Sequence, residues 1–155
     1  MEFSMRRAVK ADEARIRLLF IEMLRSIYKK DDVAGYAEGA IDYYFAGGDD
    51  WICVADMDGE VIGFLSMEAH REDMEYIYLD DFCVDGKYRG MGVGSRLLTA
   101  AEEYAGQLGM DTIALHVEKE NVAAMRLYER RGYALFRDDG SRICMTKTIG
   151  GNENV

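Results

Sequence analysis

Three glycines at alternate positions, Gly90, Gly92 and Gly94, stand between a strand-like run and a helix-like run. Residues 75–84 before them are rich in aromatic and β-branched side chains. In residues 95–108 after them, Leu97, Leu98, Ala101, Tyr104, Ala105 and Leu108 recur at helical spacing, with Gly109 as a stop. A strand, a glycine turn and an amphipathic helix in that order make a βα unit, which excludes an all-helical or all-β architecture. The turn Tyr88-Arg89-Gly90-Met91-Gly92-Val93-Gly94-Ser95 also has a chemical reading. Glycine lets a backbone come close to a ligand, and the first N–H groups of a helix lack internal partners, so such a turn suits an anion. Glycine turns before helices are common for structural reasons alone, so this one assigns nothing by itself. Two phosphate motifs are excluded. No P-loop lysine follows the glycines, and the dinucleotide fingerprint needs a G-x-G-x-x-G spacing.

The rest of the 155 residues arranges itself around that unit. Residues 5–9 read as a short strand. From Asp12, the residues Ile16, Leu19, Phe20, Met23, Leu24 and Ile27 give an amphipathic helix ending near Lys30. A second helix is predicted over 33–45, from Tyr36/Ala37, Ala40/Ile41 and Tyr44/Phe45 on one face, stopped by Gly47-Gly48. Residues 51–56 and 60–68 are strands about an Asp56-Met57-Asp58-Gly59 turn. Then come a strand over 112–117, a short helix over 122–131, and a hairpin of 133–137 and 143–148 around Asp138-Asp139-Gly140-Ser141. No repeat or linker interrupts this order, so residues 1–150 are expected to form one α/β domain, with 151–155 a disordered tail.

The net charge of −10 is unevenly spread. Residues 31–86 hold sixteen Asp or Glu and one basic residue, Arg71, a net of −15, while the remainder carries +5. A solvated acidic surface explains this, as does a middle segment that attracts cations. The total disfavours nucleic acid, whose phosphates need a basic footprint. The three cysteines, Cys53, Cys83 and Cys144, form no C-x-x-C pair, which argues against a disulfide framework or zinc site and for a reducing, cytoplasmic setting. No apolar run follows the first charges as in a signal peptide, and none reaches the roughly 18 residues a membrane span needs.

A second constellation lies at Asn121-Val122-Ala123-Ala124-Met125-Arg126-Leu127-Tyr128-Glu129-Arg130-Arg131-Gly132-Tyr133. Singly, Asn121 is a good N-cap and Tyr128 a packing residue. Combined with the strand Tyr78-Leu79-Asp80-Asp81-Phe82-Cys83-Val84 and the Arg89-x-x-Gly92-x-Gly94 turn, the pattern resembles the GCN5-related N-acetyltransferase (GNAT) superfamily over residues 60–133. That resemblance implies a mixed, mostly antiparallel sheet of six or seven strands with about four helices, splayed at an acetyl-CoA site. The chain departs from the usual pattern in having Gly86-Lys87 before the turn.

The resemblance also implies roles. Backbone groups of Phe82, Cys83 and Val84 would pair with the pantetheine amides like an added strand. N–H groups of Gly90, Met91, Gly92, Val93, Gly94 and Ser95 would hold the pyrophosphate beside Arg89. Asn121 would hydrogen-bond the pantetheine arm, with Ala124 and Tyr128 on the same side, and Arg126, Arg130 and Arg131 could meet the CoA phosphates. Tyr128 would protonate the departing thiolate. A homodimer is common in the family. No metal is expected, Cys83 reads as a small buried residue, and His116 as structural.

Acetylation of an amine needs a base. An alkylammonium with an ordinary pKa near 10.4 must shed a proton, at a cost of about 4.6 kcal/mol at pH 7. The resemblance implies Asp80 as the acceptor of that proton, since it follows Leu79 where many members of the family carry an acidic residue. Strand alternation sends Asp80 and Asp81 to opposite faces unless a bulge intervenes, so only one should reach the amine. The candidates for attracting a cationic acceptor are Asp31, Asp32, Glu38, Asp42, Glu75, Asp80 and Asp81, with Tyr36, Tyr43 and Tyr44 as stacking partners. The string Tyr78-Leu79-Asp80-Asp81-Phe82-x-Val84 with Tyr88-Arg89-Gly90-x-Gly92 also resembles diamine and polyamine acetyltransferases, although it recurs in relatives with other acceptors, so a small polyamine-like acceptor leads this reading. An aminoglycoside, a peptide amine, and a non-catalytic acyl-CoA-binding module stand as alternatives.

Overall fold

Period-two alternation of side chains sorts the strand residues into two cores. Ile52, Val54 and Phe64 pack in one cluster with Ile16 and Leu19, while Cys53, Ala55, Leu65 and Met67 pack in another with Leu97, Leu98 and Ala101. This is a sheet with helices on both faces. The computed structural model describes residues 2–150, so the tail expected at 151–155 lies outside the described residues. The strands are β1 Ser4–Arg7, β2 Trp51–Met57, β3 Glu60–His70, β4 Tyr76–Val84, β5 Thr112–Glu118, β6 Ala134–Asp138 and β7 Arg142–Thr148. The α-helices are α1 Glu13–Tyr28, α2 Val93–Gln107 and α3 Val122–Arg130. The strands lie in the order β1-β2-β3-β4-β5-β7-β6, antiparallel throughout except for β4 with β5. α2 makes the crossover between those two parallel strands, on the opposite face from α1.

The helix predicted over 33–45 is absent. Residues 33–37 have no regular structure, and only one 3-10 turn forms, at Asp42–Phe45. The apolar spacing that suggested a helix is met another way. Ile41 and Tyr44 bury themselves against β2 and β3, while Gly39 takes a φ of 77°, outside the helical region. Two glycines, Gly35 and Gly39, also weaken any helix there. The remaining elements match their predicted positions within about two residues, the uncertainty inherent in element ends.

Two departures from regular pairing position the site. The first is a fork. β4 pairs with β5 only from Ile77 to Leu79, against Ile113 to Leu115. Beyond that rung β4 continues along β3 and β5 continues along β7, so the two strands part. The second is a bulge. Leu65 faces Phe82 and Met67 faces Leu79, so Asp80 and Asp81 together oppose the single residue Ser66. The fully buried Ser66 accepts the Asp81 N–H at 2.8 Å through its hydroxyl and fills the gap in the ladder.

Asp85 anchors the end of β4. Its buried carboxylate meets the Arg15 guanidinium of α1 at 2.6 Å and accepts the Lys87 N–H at 3.0 Å. Burial pushes its pKa up, but the Lys87 N–H and Arg15 outweigh this and hold it below the usual carboxylate range. Asp85→Ala would remove Arg15's shortest partner and leave it the Val61 carbonyl at 2.9 Å and Glu60 at 3.6 Å, so we expect a loss below the roughly 3–5 kcal/mol seen when a buried charge is left with no partner. Thermal melting checks this. Because the carboxyl pKa is lowered, the difference between the two proteins should fade as pH drops below the ordinary carboxylate range.

Candidate active site

The fork opens into a cleft of about 890 Å³, whose floor includes Phe82, Cys83 and Val84 and whose walls come from the start of α2 and from α3. Along β4 the backbone groups alternate in direction. The N–H groups of Asp81 and Asp85 point at β3, to Ser66 and to the Ile62 carbonyl, so that of Cys83 does too, and those of Phe82 and Val84 face the fork. An amide-bearing chain laid in the cleft would meet Phe82 and Val84. The backbone part expected of Cys83 is corrected by this alternation, although Cys83 does line the cleft. Its side chain is buried against Met23, Sγ to Sδ 3.3 Å, and burial followed by the Asp81 charge raises its thiol well above the usual range. A nucleophilic cysteine needs the opposite shift.

The glycine turn forms the second wall. Gly90 and Gly92 adopt φ of 79° and 84°, and a Cβ added to either would meet no protein atom within 4 Å. Nothing in the fold itself requires that open space. Gly92 is the N-cap of α2, so the N–H groups of Val93, Gly94 and Ser95 have no partner within the helix. All of these residues except Met91 line the cleft, together with Arg89. Met91, expected among the ligand-holding residues, is instead an exposed side chain outside the lining. An open cradle of free N–H groups, two positive-φ glycines and a nearby arginine fits a diphosphate.

From α3, Asn121, Ala124 and Tyr128 all line the cleft. Asn121 caps α3, its Oδ1 accepting the Ala124 N–H at 3.3 Å. That occupies the acceptor half of its amide and leaves the donor half for the cleft. Tyr128 is buried beside Phe82 and Tyr133, and its hydroxyl forms no hydrogen bond within the described residues. Burial, then the proximity of Cys83, pushes its pKa well above that of a free phenol, so it stays protonated. Of the basic residues on this helix only Arg130 reaches the cleft. Arg131 is turned onto Thr99 at 2.6 Å and Glu102 at 3.5 Å, and Arg126 does not line it. Lys29, at the end of α1, does. Nothing in its local sequence signals this, because it reaches the cleft through the packing of α1 on the sheet.

On the α1 face of the fork the bulge has its main effect. Leu79 packs with the α2 core and Cys83 with the α1 core. The extra residue between them lets both Asp80 and Asp81 turn toward α1. The expectation that only one carboxylate reaches this side is therefore corrected. Tyr36 donates to Asp81 Oδ2 at 2.6 Å while its ring stacks on Phe20, centroids 4.0 Å apart. It orients Asp81 and offers no free face for stacking a cation on the Phe20 side. Tyr43 and Tyr44 donate to Glu68 Oε2 at 2.8 and 3.1 Å, which adds Glu68 to the cluster. Neither Asp80 nor Asp81 has an ion-pair partner among the described residues. Asp80 as a residue is exposed, yet desolvation of its carboxyl, then Asp81 and Glu68, push it up to about 6, with Arg142 pulling the other way. Asp81 is raised by burial and by Glu68, with the Tyr36 hydroxyl pulling the other way. The other acidic candidates do not join this cluster. Asp42 pairs with Lys10 at 3.2 Å, and Asp31, Asp32, Glu38 and Glu75 are exposed elsewhere.

A cradle for a diphosphate, an open strand edge and an unpaired carboxylate cluster, all meeting at one fork in the sheet, define an acyltransferase site. The chain belongs to the Acetyltransferase (GNAT) family, which it matches over residues 19–133. It is 35% identical over 133 residues to the uncharacterized N-acetyltransferase YhfO of Bacillus subtilis, covering 84% of this chain and 89% of that protein. It is 30% identical over 118 residues to the N-acetylaspartate synthetase of Rattus norvegicus, covering 71% of this chain and only 39% of that protein. Its fold matches the PaiA N-acetyltransferase of Thermoplasma acidophilum, solved in complex with coenzyme A, with a TM-score of 0.80 at 19% identity over 96% of this chain and 100% of that one.

Proposed function

We propose that this chain moves an acetyl group from acetyl-CoA to the primary amine of a small cationic acceptor, by direct attack with both substrates bound. The observation that carries the reading is the pair of carboxylates on the α1 side of the fork, brought together by the bulge and held in no ion pair among the described residues, with Arg142 as the one cation acting on Asp80 from a distance. Such a cluster favours a positive guest, and its raised pKa values express the cost of leaving it unmatched. Acetyl-CoA, held through Phe82, Val84, Asn121 and the N–H groups of residues 92–95, supplies the thioester. Asp80 takes a proton from the acceptor ammonium. The Phe82 N–H, aimed into the fork, can stabilise negative charge on the acyl oxygen. Tyr128 gives its proton to the departing sulfur. The family resemblance adds a homodimer in the cytoplasm to this proposal, and sedimentation at twice the chain mass checks the first of these.

Free-thiol release from acetyl-CoA with a panel of polyamines, aminoglycosides, peptides and amino acids tests the acceptor. Turnover should be highest with a linear polyamine, and its KM should rise with added salt as screening weakens the attraction. Preference for an amino acid or peptide, with no salt effect, would return the acidic cluster to a solvated surface. Tight CoA binding without turnover on any amine would favour an acyl-CoA-binding module.

Gly92→Val tests the cradle. The new side chain finds open space in the protein, so we expect the sheet to persist, with a backbone cost of about 1–3 kcal/mol for a β-branched residue at positive φ. It would occupy the approach to the N–H groups, and calorimetry should show acetyl-CoA affinity reduced by at least tenfold. Unchanged affinity in the folded variant would move the diphosphate elsewhere.

A further inference from the structure

Beside the carboxylates runs a hydrogen-bonded chain that the reaction described above leaves unused. Leu79 and Leu115 form the last rung shared by β4 and β5, so Asp80 and His116 are the first residues beyond it, one on each arm of the fork. Alternation puts Tyr78, Asp80 and His116 on one face. The Tyr78 hydroxyl lies 2.7 Å from His116 Nδ1, and His116 Nε2 lies 2.9 Å from Asp139 Oδ2. Arg137 grips the same carboxylate at 2.7 and 3.2 Å, and Arg137 first, His116 second, hold Asp139 down at about 2. An ionised carboxylate can only accept, so in the neutral imidazole the proton sits on Nε2, Nδ1 is an acceptor, and Tyr78 donates to it. The Tyr78 oxygen therefore keeps its lone pairs for a donor in the fork, with its own proton already directed at His116. The other charged or titratable groups facing the chain are Asp80 on β4, Glu68 and His70 on β3, Arg137 on β6, and Arg142 and Cys144 on β7.

The proton count of the reaction leaves a place for such a chain. An alkylammonium carries three protons and the amide product keeps one, so two must leave the nitrogen. Asp80 accounts for one.

We propose that Tyr78, His116 and Asp139 form a relay that accepts the second. As the nitrogen–acyl bond forms and the carbon–sulfur bond breaks, the remaining surplus N–H proton passes to the Tyr78 oxygen while the Tyr78 proton moves to His116 Nδ1. Asp139 stabilises the resulting imidazolium, the arrangement that serves serine hydrolases. Tyr128 has meanwhile protonated the sulfur. The proton on Asp80 restores Tyr128 through solvent, and the proton on His116 leaves to bulk. The inference rests on the proposed acetyl transfer, and it makes Tyr78 the group that meets the acceptor, with His116 and Asp139 acting through it as positioning residues.

The test uses acetyl-CoA and spermidine with Tyr78→Phe, His116→Gln, Asp139→Asn and Asp139→Glu. The first three should each lower kcat at least tenfold near neutral pH, with the KM for acetyl-CoA unchanged and the deficit shrinking as pH rises. Asp139→Glu should recover part of the rate. Side-chain ¹⁵N spectra give a readout independent of turnover. His116 should carry its proton on Nε2 in the wild type and on Nδ1 in Asp139→Asn, where the new amide can donate to Nε2. pH–rate profiles of His116→Gln and Asp139→Asn parallel to the wild type would overturn the relay, whatever happened to the melting temperature. If Asp80→Asn alone depressed turnover, the relay would fall and the assignment of Asp80 would stand. If the wild type released no thiol with any amine, the acetyl-transfer reading itself would fall.

Discussion

Tyr128→Phe is expected to bind acetyl-CoA as the wild type does and to turn over at least about 100-fold more slowly, the usual scale for loss of a general acid. The ring is what packs. It sits 6.1 Å from the Phe82 centroid and 5.9 Å from that of Tyr133, and phenylalanine keeps both contacts. The hydroxyl has no hydrogen-bond partner among the described residues, so removing it strands no buried group and costs the fold little. Its pKa, raised by burial and by Cys83, keeps it protonated across the working range. A high pKa suits transfer to a developing thiolate only while carbon–sulfur cleavage is under way, so the loss should appear in kcat and leave the KM for acetyl-CoA unaltered. Wild-type turnover in a folded Tyr128→Phe protein would transfer the role to water.

Asp80→Asn should reduce turnover with a cationic amine by a comparable factor near pH 7 and raise the melting temperature at the same pH. The catalytic part follows from the base. Wild-type activity should fall as pH drops through about 6, where Asp80 becomes protonated and can no longer accept. In the variant, neutral amine must come from solvent, so the deficit should narrow as pH rises and the roughly 4.6 kcal/mol deprotonation cost shrinks. The stability part has the opposite sense. The raised pKa means that the fold disfavours the Asp80 charge, through burial and then through Asp81 and Glu68. Stability from this group is fully present below the ordinary carboxylate pKa and is lost as pH rises through about 6. Asparagine is neutral throughout, so the variant should melt higher at pH 8 and no higher at pH 4. Parallel pH–rate profiles for the two proteins would remove Asp80 as the base, and equal melting at pH 8 would show that the carboxylates do not strain the fold.

The glycine turn, the strand before it and the helix after it were legible because each is written in local sequence. Gly90 and Gly92 take positive φ as a glycine run between strand and helix suggests, and α2 follows the spacing of Leu97, Leu98, Ala101, Tyr104 and Ala105. The false helix over 33–45 shows the limit of that reading. Ile41 and Tyr44 have helical spacing, yet they are buried by the face of β2 and β3 rather than by a helix of their own. The partners of His116 were hidden for a related reason. A lone histidine on a strand carries no local sign that Tyr78, 38 residues earlier, and Asp139, 23 residues later, will close on its two nitrogens.

Sequence alone determined the mixed α/β class, the glycine turn that opens α2, the acidic bias of the middle segment and the place of Tyr128 on the short helix after β5, since spacing and composition are local properties. Tertiary structure decided which of the sixteen acidic residues in that segment act together. The bulge opposite Ser66 turns Asp80 and Asp81 to one face, Tyr44 brings Glu68 into line, and Lys10 removes Asp42. The physical reason is that a carboxylate's behaviour depends on its distance from other charges and from water. Those distances are set by strand register and by which strands part, and neither is encoded at the residue itself.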